Sequence, residues 1–264
     1  LDDVRDVLER ASARETAARV AAGGIARALL RAIGIDVLSE TIRIGDVTAV
    51  ARFDRDAIEK SEVRCGDPGA SARMIAAIAA AKEAGDTLGG VTAVRATGVI
   101  SGLGTYAQWD RRLDGRIAQA LASIQSAKGV EFADAFDAAA DLGSLVHDPI
   151  ERRGTGFGRP RNRAGGLEGG VTNGEDVVVR VAFKPISTLM KPLPSVDLRS
   201  GDPAPAHVER SDVCIIPAAG VVAEAMLALV LADAVCLKFG EDTLDDITTA
   251  VAHYRERLKP IADR

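Results

Sequence analysis

The chain has 264 residues, a net charge of −5, 47% apolar residues and 27% charged residues. That balance allows a sizeable buried core and excludes a disordered chain. It gives no sign of a nucleic-acid-binding surface, and with aromatics at 3% the core must be aliphatic.

Arg5 to Ile33 reads as a long helix in which Arg19, Gly23, Arg27 and Arg31 form one polar stripe and the remaining circumference is buried. Ile35 to Arg52 alternates loosely as strand material with a turn at Gly45-Asp46. Ala70 to Ala84 is an Ala-rich helix, and Gly89 to Val99 a strand. Asp110 to Ala127 reads as a second buried helix, followed by a strand from Val130 to Phe136. Between His147 and Gly174 lie eight glycines and five arginines, which mark a flexible loop. Asp176 to Phe183 is a clear strand, and Val213 to Phe239 an apolar helix ended by Gly240. Pro217, Glu224 and Asp233 interrupt this helix, which favours a core helix over a membrane span. Leu244 to Leu258 is amphipathic, with Thr243 to cap it and Pro260 to stop it. Irregular alternation with fully buried helices predicts an α+β fold, helices packed between antiparallel sheets, in one domain over 1–264.

Cys65, Cys214 and Cys236 are too few and too scattered for a disulfide framework or a metal site, which suits a reducing cytoplasm. The acidic N-terminus is no signal peptide, and a start at Leu1 rather than Met reads as a fragment or a processed product. His147, His207 and His253 fit no triad or metal spacing.

Four segments carry possible chemistry. In Glu9 to Thr16, Arg10 and Arg14 share a helix face and could bind an anion; ion pairs to Glu9 and Glu15 at a solvated helix end would explain them equally. In Arg161 to Gly174, two Gly-Gly pairs permit close approach of a ligand or an anion nest, or simply a flexible loop. Lys184-Pro185-Ile186-Ser187-Thr188 at a strand end could hold a phosphate, although many strands end in polar turns. Arg210 and Asp212 meet the start of an apolar helix, whose dipole favours anions; an N-cap Asp with a companion Arg is the plainer reading. The shared pattern suits a multiply anionic ligand and names no reaction.

Taken in order, these segments resemble chorismate synthase. ERASARETAARVAAG (Glu9 to Gly23) is similar to that family's second conserved pattern, and RSDVCIIPAAGVVAEAM (Arg210 to Met226) to its third. GDTLGG (Gly85 to Gly90), DRRLD (Asp110 to Asp114), NRAGGLEGGVTNG (Asn162 to Gly174) and KPIST (Lys184 to Thr188) add to the likeness. Gly24 departs from the second pattern, and 154–161 is short and unusual.

The resemblance implies a β-α-β sandwich and a homotetrameric cytoplasmic lyase that eliminates phosphate from 5-enolpyruvylshikimate 3-phosphate (EPSP) with reduced FMN, NADPH serving indirectly for flavin reduction. It implies FMN contacts at Arg10, Ala11, Ser12, Gln125, Ser126 and Gly169, with Lys184, Pro185, Ile186, Ser187 and Thr188 at the ribityl phosphate. Arg210 would touch flavin or substrate, Arg14 would bind substrate, and Asp212 would assist proton transfer near flavin N5. No metal, nucleic acid or membrane is implied. The family's Gly-Glu-Ser-His-Gly and Gly-His-Ala-Asp elements, with its two catalytic histidines, do not occur in these residues. The expectation is therefore that this chain alone does not turn over EPSP; the alternative function is an inactive fragment or a flavin- or phosphate-binding module of the same fold.

Overall fold

The computed structural model describes residues 7, 11–154, 156–208 and 211–259. In chain order its elements are α1 (Thr16–Ala32), β1 (Asp36–Ile44), β2 (Val47–Thr48), α2 (Arg55–Lys60), α3 (Pro68–Glu83), β3 (Gly90–Thr97), α4 (Leu113–Ala122) and β4 (Ala127–Phe132). Two single-turn helices, α5 (Ala135–Ala138) and α6 (Gly143–Val146), precede β5 (Glu151–Arg153), β6 (Gly156–Gly158), β7 (Leu167–Glu168), β8 (Val171–Thr172) and β9 (Val177–Phe183). β10 (Pro194–Val196), β11 (Pro203–Pro205), α7 (Ile216–Phe239) and α8 (Leu244–Leu258) complete the described chain.

Five strands form one antiparallel sheet in the order β2-β1-β3-β9-β4. In β9 the run of valines alternates buried and half-buried, the period of two that a strand imposes. Val94 of β3 lies opposite Ser39 on one side and Val179 on the other, so these three share a face. α7 packs across that face on β1 and β3, flanked by α1 and α4. A Cβ on Gly220 would stand 2.9 Å from Ser39 Oγ and 3.0 Å from Thr92 Oγ1, which shows how close α7 comes to the sheet.

By length and composition α7 could cross a membrane. Instead most of it is buried by its neighbours, and its Glu224 lies in the core. Glu224 Oε1 accepts from Ser39 N and Ser39 Oγ, both at 2.7 Å, and from Arg64 at 2.9 Å; Oε2 accepts from Arg27 at 2.7 Å.

The α+β class holds, with corrections in detail. Among the described residues α7, flanked by α1 and α4, lies on one face of the one large sheet, and the other sheets are two-stranded hairpins. The helix expected from Arg5 to Ile33 is broken: Val7 and Ala11 are helical, residues 1–6 and 8–10 lie outside the described residues, and after Ser12 a 3₁₀ turn (Ala13–Glu15) leads into α1 at Thr16. Ser12 is extended there and its hydroxyl accepts from Arg14 N at 3.2 Å, the N-cap role to which serine is suited. The α1 stripe read as polar is the packing face. Arg27 reaches Glu224, and a Cβ on Gly23 would fall 2.3 Å from Ala225 Cβ, so the two backbones touch there. The Ala-rich side faces outward, with Ile25 77% exposed, so all-round burial of α1 is not found. α4 is likewise amphipathic, burying Leu113, Ile117 and Leu121. The glycine-rich segment 147–174 contains the hairpins β5–β6 and β7–β8.

Candidate functional site at one end of the sheet

Because β9 runs antiparallel to both β3 and β4, its last residue, Phe183, lies opposite Gly90 and Ala127. Register alone therefore brings the end of β9 to the start of β3 and the start of β4. Lys184 N donates to Ser126 O at 2.9 Å, and Thr87 Oγ1 donates to Ile186 O at 2.8 Å. Gly89 makes this crossing possible: a Cβ there would sit 2.5 Å from Phe183 O and 2.9 Å from Pro185 N. Leu88 N donates to Val213 O at 2.8 Å, and Leu88 bridges to Cys214, so the segment before α7 joins the same end. Asp212 is exposed in that segment. It does not cap α7, whose N-cap is Ile215 with no side-chain cap, because the chain takes four more residues to enter the helix.

The start of α1 meets the α4–β4 connection. Glu15 pairs with Arg19 at 2.8 Å and accepts from Gln125 Nε2 at 2.5 Å, while Arg19 Nη1 donates to Ser123 Oγ at 2.8 Å. Arg19, first, and then Gln125 hold the Glu15 carboxyl below the usual carboxylate range. Glu15 thus pairs with Arg19, and Arg14 is exposed with no side-chain partner among the described residues. Ala11 and Ser12 precede this turn. Ser126 takes φ +67, an uncommon conformation for a serine. Lys184 and Pro185 are exposed, as is Ser187. Arg10 and Arg210 lie outside the described residues.

Gly169 stands apart. It turns the β7–β8 hairpin, and neighbouring Gly170 accepts at its carbonyl from Leu113 N at 2.9 Å, at the start of α4. Gln125 follows the other end of that ten-residue helix, about 15 Å along its axis. Two concavities lie elsewhere. One of about 440 Å³ is lined by Arg111, Arg116, Asp233 and Lys238, and one of about 490 Å³ by Ser61, Cys65 and Ser71. Burial raises the Cys65 and Cys214 thiols above their ordinary range. No group of three or more His, Cys, Asp or Glu among the described residues could hold a metal.

A family model described as chorismate synthase matches residues 1–236. The chain belongs to the chorismate synthase family. It is 55% identical to the chorismate synthase of Moorella thermoacetica, over 98% of this chain and 69% of the relative. It is 53% identical to that of Salinispora tropica, over 97% of this chain and 67% of the relative. A solved structure described as "Crystal Structure of Chorismate Synthase" superposes with a TM-score of 0.84 at 41% identity, over 97% of this chain and 73% of that one.

The chorismate synthase family implies a flavin cofactor, and the residues at the sheet end fit one that carries a phosphate. Lys184, Ser187 and Thr188 offer a cation and two hydroxyls to a phosphate. Gln125 Oε1 is a buried acceptor with no protein partner, as a site completed by a ligand donor would leave it. Sequence reasoning treated Glu15 only as a partner for nearby arginines and Glu224 only as a break in an apolar run. A carboxylate inside an otherwise apolar helix is a signal for buried cations, and Arg27 and Arg64 are those cations.

Proposed function

We propose that the sheet-end site binds reduced FMN and EPSP and carries out the 1,4-elimination that yields chorismate. One observation supports this above others: Thr87 Oγ1–Ile186 O and Leu88 N–Val213 O draw three of the matched segments together at one end of the sheet. The identity to chorismate synthases over nearly the whole chain favours the enzyme over a binding module.

When bound, reduced FMN lends electron density that assists departure of the C3 phosphate while a C6 hydrogen is lost. The chain's own residues bind and orient. Lys184 with Ser187 and Thr188 holds the ribityl phosphate, because an ammonium and hydroxyls at a strand end give short charge-assisted bonds. Ala11, Ser12, Gln125 and Ser126 contact the flavin, with Arg10 and Arg210 in the same role. Arg14, with its guanidinium uncommitted, takes a carboxylate or phosphate of EPSP through its planar fork. Asp212 moves a proton at the flavin N5 edge. Fixing a trianionic substrate against the flavin supplies much of the rate enhancement. The finer reading includes a cytoplasmic homotetramer, flavin reduction at the expense of NADPH, and the sandwich in which a second sheet covers the outer side of α1.

The test is anaerobic: purified protein, reduced FMN and EPSP, with chorismate and phosphate both measured. The expected result with a chain that carries the family's two histidine elements is chorismate formation that falls about 10²–10⁴-fold in Asp212→Asn with FMN affinity unchanged, and none with residues 1–264 alone. FMN binding without chorismate in the longer chain would favour the inactive fragment or module. Absence of both would overturn the site.

A further inference from the structure

Gln125 carries a buried amide oxygen that nothing in the protein satisfies. Its Nε2 donates to Glu15 Oε1, whereas its Oε1 is shielded from solvent and has no hydrogen-bond partner. An unmade bond at a buried carbonyl forfeits the hydration of that oxygen, so such groups are rare without a ligand or a water. The orientation is dictated rather than accidental. An ionised carboxylate only accepts, so Glu15 can bind only the NH₂ end of the amide, and the oxygen must point away.

Glu15 is itself fixed. Arg19 pairs with it at 2.8 Å and also reaches Ser123 Oγ at 2.8 Å, two residues before Gln125. The Arg19 hydrogen bond, then that of Gln125, holds the carboxyl below its ordinary range, and like any glutamate with its usual acidity it is ionised at neutral pH. The carboxylate, the guanidinium and the 123–125 turn therefore form a closed ring between the start of α1 and the start of β4.

We propose that Glu15 is a positioning residue for flavin binding: it pins the Gln125 amide so that Oε1 stands as a fixed acceptor for an N–H or O–H of FMN. This rests on the reading of Gln125 as a flavin contact. A mere tether between α1 and β4 would affect stability and leave flavin affinity alone.

FMN affinity, read by quenching of flavin fluorescence without turnover, separates the two. Gln125→Leu should weaken FMN about tenfold, the loss of one buried hydrogen bond. Glu15→Gln should weaken it several-fold, because a glutamine both donates and accepts and lets the Gln125 amide turn either way. On the Gln125→Leu background, Glu15→Gln should change FMN affinity no further. If Glu15→Gln fails to fold, Glu15→Asp keeps the charge but withdraws it by one methylene and should weaken FMN likewise. Unchanged affinity in Gln125→Leu would overturn the flavin reading of Gln125 and the inference with it. A weakened Gln125→Leu beside a Glu15→Gln that binds as wild type, or an equal Glu15→Gln effect on both backgrounds, would overturn the positioning role alone.

Discussion

Ser39 donates twice to one oxygen of Glu224, through its backbone N–H and its hydroxyl, both at 2.7 Å. Arg27 and Arg64 pair with the same carboxylate at 2.7 and 2.9 Å, so one side chain of α7 ties together α1, β1 and the segment before α3. Glu224→Leu leaves two largely buried guanidiniums without their anion and should cost about 3–5 kcal/mol. Ser39→Ala removes one hydroxyl donor and should cost about 1 kcal/mol. Urea unfolding with a constant m value measures both.

Two adjacent glycines of α1 should respond in opposite directions. Gly23→Ala places a methyl 2.3 Å from Ala225 Cβ and 2.6 Å from Ala225 Cα, which forces α1 and α7 apart. It should destabilise by about 1–3 kcal/mol. Gly24→Ala meets nothing within 4 Å and should stabilise by about 0.5–1 kcal/mol through helix propensity. Thermal melts of the two variants check the contrast.

The same helix shows what was legible in the sequence. The period of α1 was plain, but which side it buries was not, since Arg19, Gly23 and Arg27 spell a wet stripe by residue type. Only the partner across the interface reverses that: Glu224, nearly 200 positions away, neutralises Arg27, and Gly23 buys closeness rather than solubility. The strands β1, β3 and β9 and the amphipathic α8 were readable because their own patterns fix them. The hairpins β5–β6, β7–β8 and β10–β11 were not, because strands of two or three residues carry too little alternation to register. At the site, the motifs were readable as basic and hydroxyl-rich ends. The Glu15–Gln125 contact was not, because it joins the start of α1 to the α4–β4 connection 110 positions later.

The Arg112–Asp114 pair provides a pH test. Arg112 Nη2 donates to Asp114 Oδ2 at 2.7 Å, and this bond, against some burial, holds the carboxyl below the usual carboxylate range. The folded state therefore binds that proton less readily than the unfolded state. Its stabilisation is present above the unfolded carboxylate value of about 4 and is lost as pH falls through the lower folded value. Asp114→Asn should be slightly less stable than wild type at pH 6, by less than about 1 kcal/mol, and the gap should close as the solution is acidified below about pH 3. Melting temperatures of the pair across pH 2.5–7, about the range spanning these values, check the closure.

The proposed flavin site at the end of the sheet is tested most directly by comparing FMN with riboflavin, which differ only in the phosphate. Lys184 leaves β9 beside Ser126, and its ammonium is assigned to that phosphate. Fluorescence titration of wild type and Lys184→Ala should show FMN weakened about tenfold or more in the variant, as expected for loss of a charge-assisted hydrogen bond, and riboflavin unchanged. Equal affinities of the two proteins for FMN, or equal losses for FMN and riboflavin, would contradict the assignment.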